Sequence, residues 1–262
     1  MKLKAKEAAL VGVFAALFAV VSRLPGIPIV GLPIGAGKIE LTAVLAPIVG
    51  IILGPWLGAL TTFIGDFIAW IIPKTTFFGL LMLPTDPIAA MVAGALVRRE
   101  RTANWKVSAA ILLALNLLWY ATPPGMEVIY YPFLHLGALI LILLCRGKIA
   151  EFVSSGAREK LGYGVTVASF SGVMANHMAG NLIFIASVGW FIQLKAIKNT
   201  VKALGLYWLK SGLPKGEVTG LGALFAGMLP ISVVERLIMT AIAAFLGTAI
   251  LYALRKSRII SI

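Results

Sequence analysis

The sequence predicts an all-α polytopic membrane protein: one integral membrane domain over residues 1–262, a helical bundle of about eight spans. Three observations carry this reading. Hydrophobic residues make up 60% of the chain and charged residues only 13%, with a mean hydropathy of +0.98, far from the balance of a soluble domain. The apolar residues fall in long runs broken by Gly, Pro and polar punctuation, whereas strands of a membrane barrel would alternate apolar and polar residues. No long polar segment remains to form a separate soluble domain.

Taken in order, the first apolar run predicts a helix over about 5–22. Its flanking lysines resemble a signal peptide, but no A-x-A site follows, so a retained first helix is expected. Small residues, Ala8, Gly12, Ala15, Ala16 and Ala19, recur at helical spacing and invite close docking of another helix. Residues 23–37 (RLPGIPIVGLPIGAG) contain three prolines and four glycines, so no helix is expected. Apolar, irregular backbone at membrane depth belongs where it covers a cavity or is buried in protein.

The stretch Lys38–Lys74 predicts a tight hairpin. Proline lacks an amide hydrogen and disfavours helix in the residue before it, so one helix ends at Gly54 and the next begins at Pro55. Gly50, Gly54 and Gly58 allow the two to approach closely. Each arm carries one acid, Glu40 or Asp66. Residues 75–97 are interrupted by Pro84 and Pro87, and Thr85 or Asp86 is expected to cap a helix starting at Pro87. Runs at about 107–121 and 132–145 predict a second hairpin, with Trp119, Tyr120, Tyr130 and Tyr131 as an interfacial aromatic belt.

The helix predicted over about 164–191 is polar in its middle, with Asn176, His177 and Asn181 close together; such groups are costly in a span unless they find partners. Residues 192–219 are lysine-rich, and part of them is expected to lie along the membrane surface. A last helix begins near Gly220 or Pro230, and its Glu235 and Arg236 either neutralise each other or bind a ligand.

The net charge of +13 would suggest nucleic acid in a soluble protein. Here most bases flank apolar runs, at the N-terminus, 98–106, 146–163 and the C-terminus, so topology and anionic lipid explain them, and no nucleic-acid partner is expected. An even number of spans puts all four segments, including both termini, on the cytoplasmic side of a cell membrane. The lysines at 195–215 then fall outside, against the rule. Cys145 is the only cysteine, so an internal disulfide is impossible, and no C-x-x-C metal site exists.

With that topology Glu40, Asp66, Trp70, Asn181, Glu235 and Arg236 share the outer half of the membrane, with Asn176 and His177 nearer its middle. Ionisable groups from several helices beneath an apolar loop predict an occluded pocket for a small polar or amphipathic organic solute. H-E-x-x-H, G-x-S-x-G and the P-loop are all absent, so no catalytic residue, metal or cofactor is expected, and active pumping would need energy from another subunit or an ion gradient. A self-sufficient proton-coupled transporter using Asp66, His177 or Glu235 is the alternative, although no inverted repeat is visible. An intramembrane enzyme using His177 and Asp66 as a base pair ranks below both, because no nucleophile motif accompanies them.

The small-residue face of the first helix, the Gly/Pro-rich loop after it, KIELTAVLAPIVGIILGPWLGALTTFIGDFIAW, and a final helix opening with P-x-x-x-x-E-R together resemble the substrate-binding S components of energy-coupling factor transporters. The match is strongest over residues 5–97. The resemblance implies a vitamin- or micronutrient-binding membrane subunit, not an enzyme, that joins a transmembrane coupling subunit and two cytoplasmic ATPases. It implies docking of the coupling subunit on an Ala-x-x-x-Ala pattern, matched by Ala5/Ala9 and Ala15/Ala19 and more loosely by Ala8/Gly12/Ala16. It makes residues 23–40 a gating loop and puts Asn176, His177, Asn181, Glu235 and Arg236 at the pocket wall. Family members usually have six helices, so the hairpin at about 107–145 is read as an extra pair.

Overall fold

The structure, a computed structural model, describes residues 5–24, 27–28, 38–39, 41–72, 76–100, 103–210 and 220–257, with backbone alone at 27–28, 38–39 and 206–210. It is helical nearly throughout: α1 (Ala5–Val21), α2 (Leu41–Leu53), α3 (Pro55–Ile71), α4 (Phe77–Met82), α5 (Thr85–Leu96), α6 (Trp105–Tyr120), α7 (Pro123–Glu127), α8 (Phe133–Cys145), α9 (Lys148–Ser154), α10 (Arg158–Ser187), α11 (Leu194–Lys210) and α12 (Leu221–Lys256). Ile27–Pro28 pairs antiparallel with Lys38–Ile39. Residues 25–26 and 29–37 of the expected gating loop, together with Glu40, lie outside the described residues.

The α2–α3 hairpin turns where the sequence placed it. Gly54 has φ of 85°, a conformation that side-chain-bearing residues rarely adopt, and Pro55 opens α3. Gly58 stacks on Gly50: a methyl on Gly58 would stand 2.7 Å from the Gly50 Cα. The same small-residue logic seats α5. Gly50 faces the Ala90 carbonyl, and Gly172 of α10 faces the carbonyl of Ala89. α5 is thereby enclosed by α2, α3, α6 and α10.

α4 and α5 form one interrupted apolar stretch, Phe77–Leu96, that turns at Leu83–Pro84. The helix begins at Thr85 with Pro84 in the capping position, so Thr85 and Asp86 sit inside the first turn and neither side chain caps it. Proline suits helix entry because its missing amide hydrogen is not needed there, and here that applies one proline earlier than expected. Pro230 likewise lies inside α12, which starts at Leu221. Among the described residues, Phe77–Leu96 and Leu221–Lys256 are long and apolar enough to cross a membrane, and α2, α3, α6 and α8 are shorter apolar helices.

The hairpin expected at 107–145 is present as α6 and α8, joined through α7, and packs on α5 and α10. Its aromatic belt is only half right. Tyr130 is exposed, but Trp119 and Tyr131 are buried and stack with ring centroids 4.6 Å apart. Both rings meet Phe225 of α12 edge-on. Burying two large rings inside the bundle outweighs leaving them at an interface.

Helix α1 is corrected at one position. Ala5, Ala8, Ala9, Gly12 and Ala16 are exposed, whereas Ala15 is buried and Ala19 half-buried. Ala15 and Phe18 pack on Gly65 of α3, where a methyl would lie 3.0 Å from the Ala15 carbonyl oxygen. Ala15 therefore holds α1 to its own bundle and is not on a free docking face.

At the end of the bundle where α5 and α12 finish, arginines bond to backbone. Arg98 donates to the Ile52 carbonyl at 3.2 Å, near the α2–α3 turn, and burial lowers its pKa below the ordinary arginine value. Arg255 donates to the carbonyls of Ser155 and Val153.

Candidate functional site

A cavity of about 810 Å³ opens at the opposite end. Its walls come from the last residues of α1 and α3, the first residues of α2 and α5, α4, the second half of α10, the start of α11 and the first half of α12. Helices that alternate in direction thus all reach it with the appropriate terminus. Two helices contribute clean stripes. Asn176, His177, Gly180, Asn181 and Phe184 share one face of α10, and Phe225, Met228, Ser232, Glu235, Arg236 and Met239 one face of α12.

Asp66, Trp70, Asn176, His177, Asn181, Glu235 and Arg236, all singled out by sequence, line this one space. Glu40 falls outside the described residues. The lining also holds polar residues not assigned to the site from sequence, among them Asp86 and Tyr131.

The polar groups are organised as side-chain pairs. Asn176 Nδ2 donates to Asp86 Oδ1 at 2.6 Å, joining α10 to α5. Asn181 Nδ2 donates to the Tyr131 hydroxyl at 3.1 Å, and that hydroxyl lies 3.4 Å from His177 Nε2. Glu235 and Arg236 pair at 3.3 Å, and Arg236 also reaches the Met239 sulfur. The expectation that Glu235 and Arg236 neutralise each other therefore holds within the cavity wall. Trp70 is fixed from outside, its indole N–H donating to the Thr76 carbonyl at 3.0 Å.

This arrangement pairs most of the cavity's polar groups while leaving them at a surface, and His177 Nδ1 and Arg236 Nε keep no partner among the described residues. An Asp–Asn pair, an Arg–Glu pair and a Tyr–Asn–His cluster present both donors and acceptors. Trp70, Phe78, Phe184 and Phe225 supply apolar faces between them. Few polar groups set among aromatic ones suit an organic molecule with a flat apolar body and hydrogen-bonding edges.

Among the described residues no group of three or more His, Cys, Asp or Glu side chains is arranged to hold a metal.

Fold and site together define a helical bundle with a polar cavity at one end. Comparison with known proteins narrows the class. Residues 2–122, just under half of the chain, match the sequence profile of the family described as ECF-type riboflavin transporter, S component. This supports the resemblance to an energy-coupling factor S component, a family of membrane-embedded transporter subunits that are not enzymes. An uncharacterized protein of Methanocaldococcus jannaschii is 32% identical over 209 residues, covering 79% of this chain and 59% of that relative. The chain thus spans less than two thirds of the relative's length. No solved structure matches the chain.

Proposed function

We propose that this chain is the solute-binding membrane subunit of an ATP-driven importer, and that the cavity captures a small organic micronutrient from outside the cell. The observation that carries the proposal is the convergence of Asp66, Asn176, Asn181, Glu235 and Arg236, from three helices, on one space beside Trp70. The printed name of the matching family makes riboflavin the first solute to test. Its flat ring system with polar edges fits walls that alternate aromatic faces and amide or carboxylate groups.

Eight passes account for the chain: α1, α2, α3, the interrupted α4–α5, α6, α8, α10 and α12. The basic segments Arg98–Lys106 and Arg146–Lys160, and both termini, then share the cytoplasmic side, and the cavity opens outward. No P-loop occurs in the sequence, and in this reading the energy comes from ATPase subunits through a transmembrane coupling subunit docked on the exposed small face of α1, Ala8, Gly12 and Ala16.

The test is direct. The purified chain is denatured, and released small molecules are identified by mass spectrometry. Riboflavin is then titrated into ligand-free protein while tryptophan fluorescence is followed. A co-purifying heteroaromatic solute, or saturable riboflavin binding without partners, is expected. Solute accumulation by the chain alone in proteoliposomes, driven by a proton gradient, would instead establish the secondary-transporter alternative.

A further inference from the structure

The lysines near residue 200 contradict the charge rule that orients the rest of the chain. α11 has three faces. Ile197 and Leu204 are buried against Phe184, Leu224 and neighbouring apolar residues of α10 and α12. Ala196 and Thr200 face the cavity. Lys195, Lys198 and Lys202, at i, i+3 and i+7, form an exposed stripe on a third side. No acid occurs between Glu159 and Glu217, so nothing within the segment neutralises this stripe.

The turn before α11 adds a second, independent feature. Gly189 has φ of 86°, and the turn it makes displays Trp190 at 85% exposure, beside an exposed Leu194. Between them Phe191 packs against Phe77 of α4, with ring centroids 5.0 Å apart and the rings tilted by 35°, which ties the turn to α4 beside the cavity. Exposed Trp and Leu next to a lysine row, at the end of an apolar bundle, form the composition of a helix that lies in a membrane interface.

We propose that α11 is a membrane-surface helix: its lysine stripe binds the phosphate headgroups of anionic phospholipids, Trp190 and Leu194 insert at the interface, and the lipid surface thereby holds one wall of the cavity in place. Ile192, Ala196, Ile197 and Thr200 belong both to this segment and to the cavity lining. Lipid charge therefore bears on the wall without touching the solute. The lysines lie on the outer side because they serve a lipid surface there and do not specify orientation.

The experiment follows hydrogen–deuterium exchange of residues 190–205 in the full chain, reconstituted in nanodiscs of phosphatidylcholine or of phosphatidylcholine mixed with phosphatidylglycerol. Each lysine near an anionic surface contributes enough that exchange is expected to slow by ~10-fold or more with phosphatidylglycerol. The difference should vanish at about 1 M salt, where screening reaches about 3 Å. The variant K195Q/K198Q/K202Q should exchange at the phosphatidylcholine rate in both discs. Equal exchange of the wild type in the two lipids overturns the proposal, as does lipid-dependent protection that survives in the variant. The wild-type comparison stands even if the variant misfolds. Because no solute is present, the outcome is independent of whether the cavity binds riboflavin.

Discussion

The two ends of this bundle solve the same problem differently. At the end without the cavity, close approach is backbone on backbone, with Gly58 against Gly50, and cations donate to main-chain carbonyls, Arg98 to Ile52 and Arg255 to Ser155. At the cavity end, polar groups meet side chain to side chain: Asn176 with Asp86, Asn181 with Tyr131, Arg236 with Glu235. Main-chain carbonyls cannot turn away without unwinding a helix, so the first end is fixed. Side chains can exchange partners by rotamer changes, so the second can rearrange around the proposed solute. One end is built as a clamp, the other as the surface proposed to receive the solute.

The sharpest way to break this contrast is to spoil the clamp. Gly58→Leu forces a branched side chain into space held by the Gly50 backbone, and no rotamer change relieves that overlap. The expected cost is about 3 kcal/mol or more, at the upper end of overpacking penalties. Thermal unfolding in detergent should show a large loss of stability or no folded protein. A variant with wild-type stability would show that the hairpin is looser than the structure depicts.

A smaller effect tests the receptor end. Asp86→Leu and Asn176→Leu each leave the other partner of a buried pair without this bond, and each should cost about 1–3 kcal/mol. Combining them replaces both polar groups by apolar ones, so the double variant should recover part of the stability. Solute binding should not recover with it. Restored stability with lost binding assigns the pair to recognition; binding retained in the stable double variant removes it from the site.

Part of this site was legible in the sequence, and the boundary has physical causes. The hairpin at Gly54–Pro55 was readable because proline and glycine constrain backbone locally. The polar stripe of α10 and the Glu235–Arg236 pair were readable because polar groups inside an apolar run are conspicuous. Asp86 was misread: an acid beside a proline at a helix start looks like a cap, and only Asn176, 90 residues away, reveals its partner. Tyr131 was assigned to the membrane interface because a turn between two helices has no periodicity from which depth can be read. Ala15 was grouped with Ala16, but consecutive helical residues point about 100° apart, so one faces α3 and the other faces outward.

Tyr131 offers a finer test, since its hydroxyl links Asn181 to the neighbourhood of His177 from the α6–α8 hairpin. Tyr131→Phe keeps the stacking on Trp119 and removes only the hydroxyl. Stability should fall by about 1 kcal/mol. Solute affinity, measured by titration, should fall by about fivefold to tenfold, because Asn181 is no longer held at the cavity wall. Unchanged affinity would make the hairpin a structural addition with no part in recognition.

The smallest effect on the isolated chain is expected at α1, and its value lies in what it separates. Ala8 and Ala16 are exposed, two turns apart, on a face that stays open among the described residues. Changing both to Leu adds bulk without displacing any packed group, so stability should stay within about 0.5 kcal/mol of wild type and solute affinity should be unchanged. If that face receives a coupling subunit, the added side chains prevent close backbone approach, and ATP-dependent uptake by the assembled transporter should be lost. The same pair of substitutions at Ala15 and Phe18 would unseat α1 from Gly65 and damage the chain itself, which makes it unsuitable as a probe. Normal uptake by the Ala8/Ala16 variant would move the docking surface elsewhere, and loss of binding alongside uptake would show that α1 supports the cavity as well as any partner.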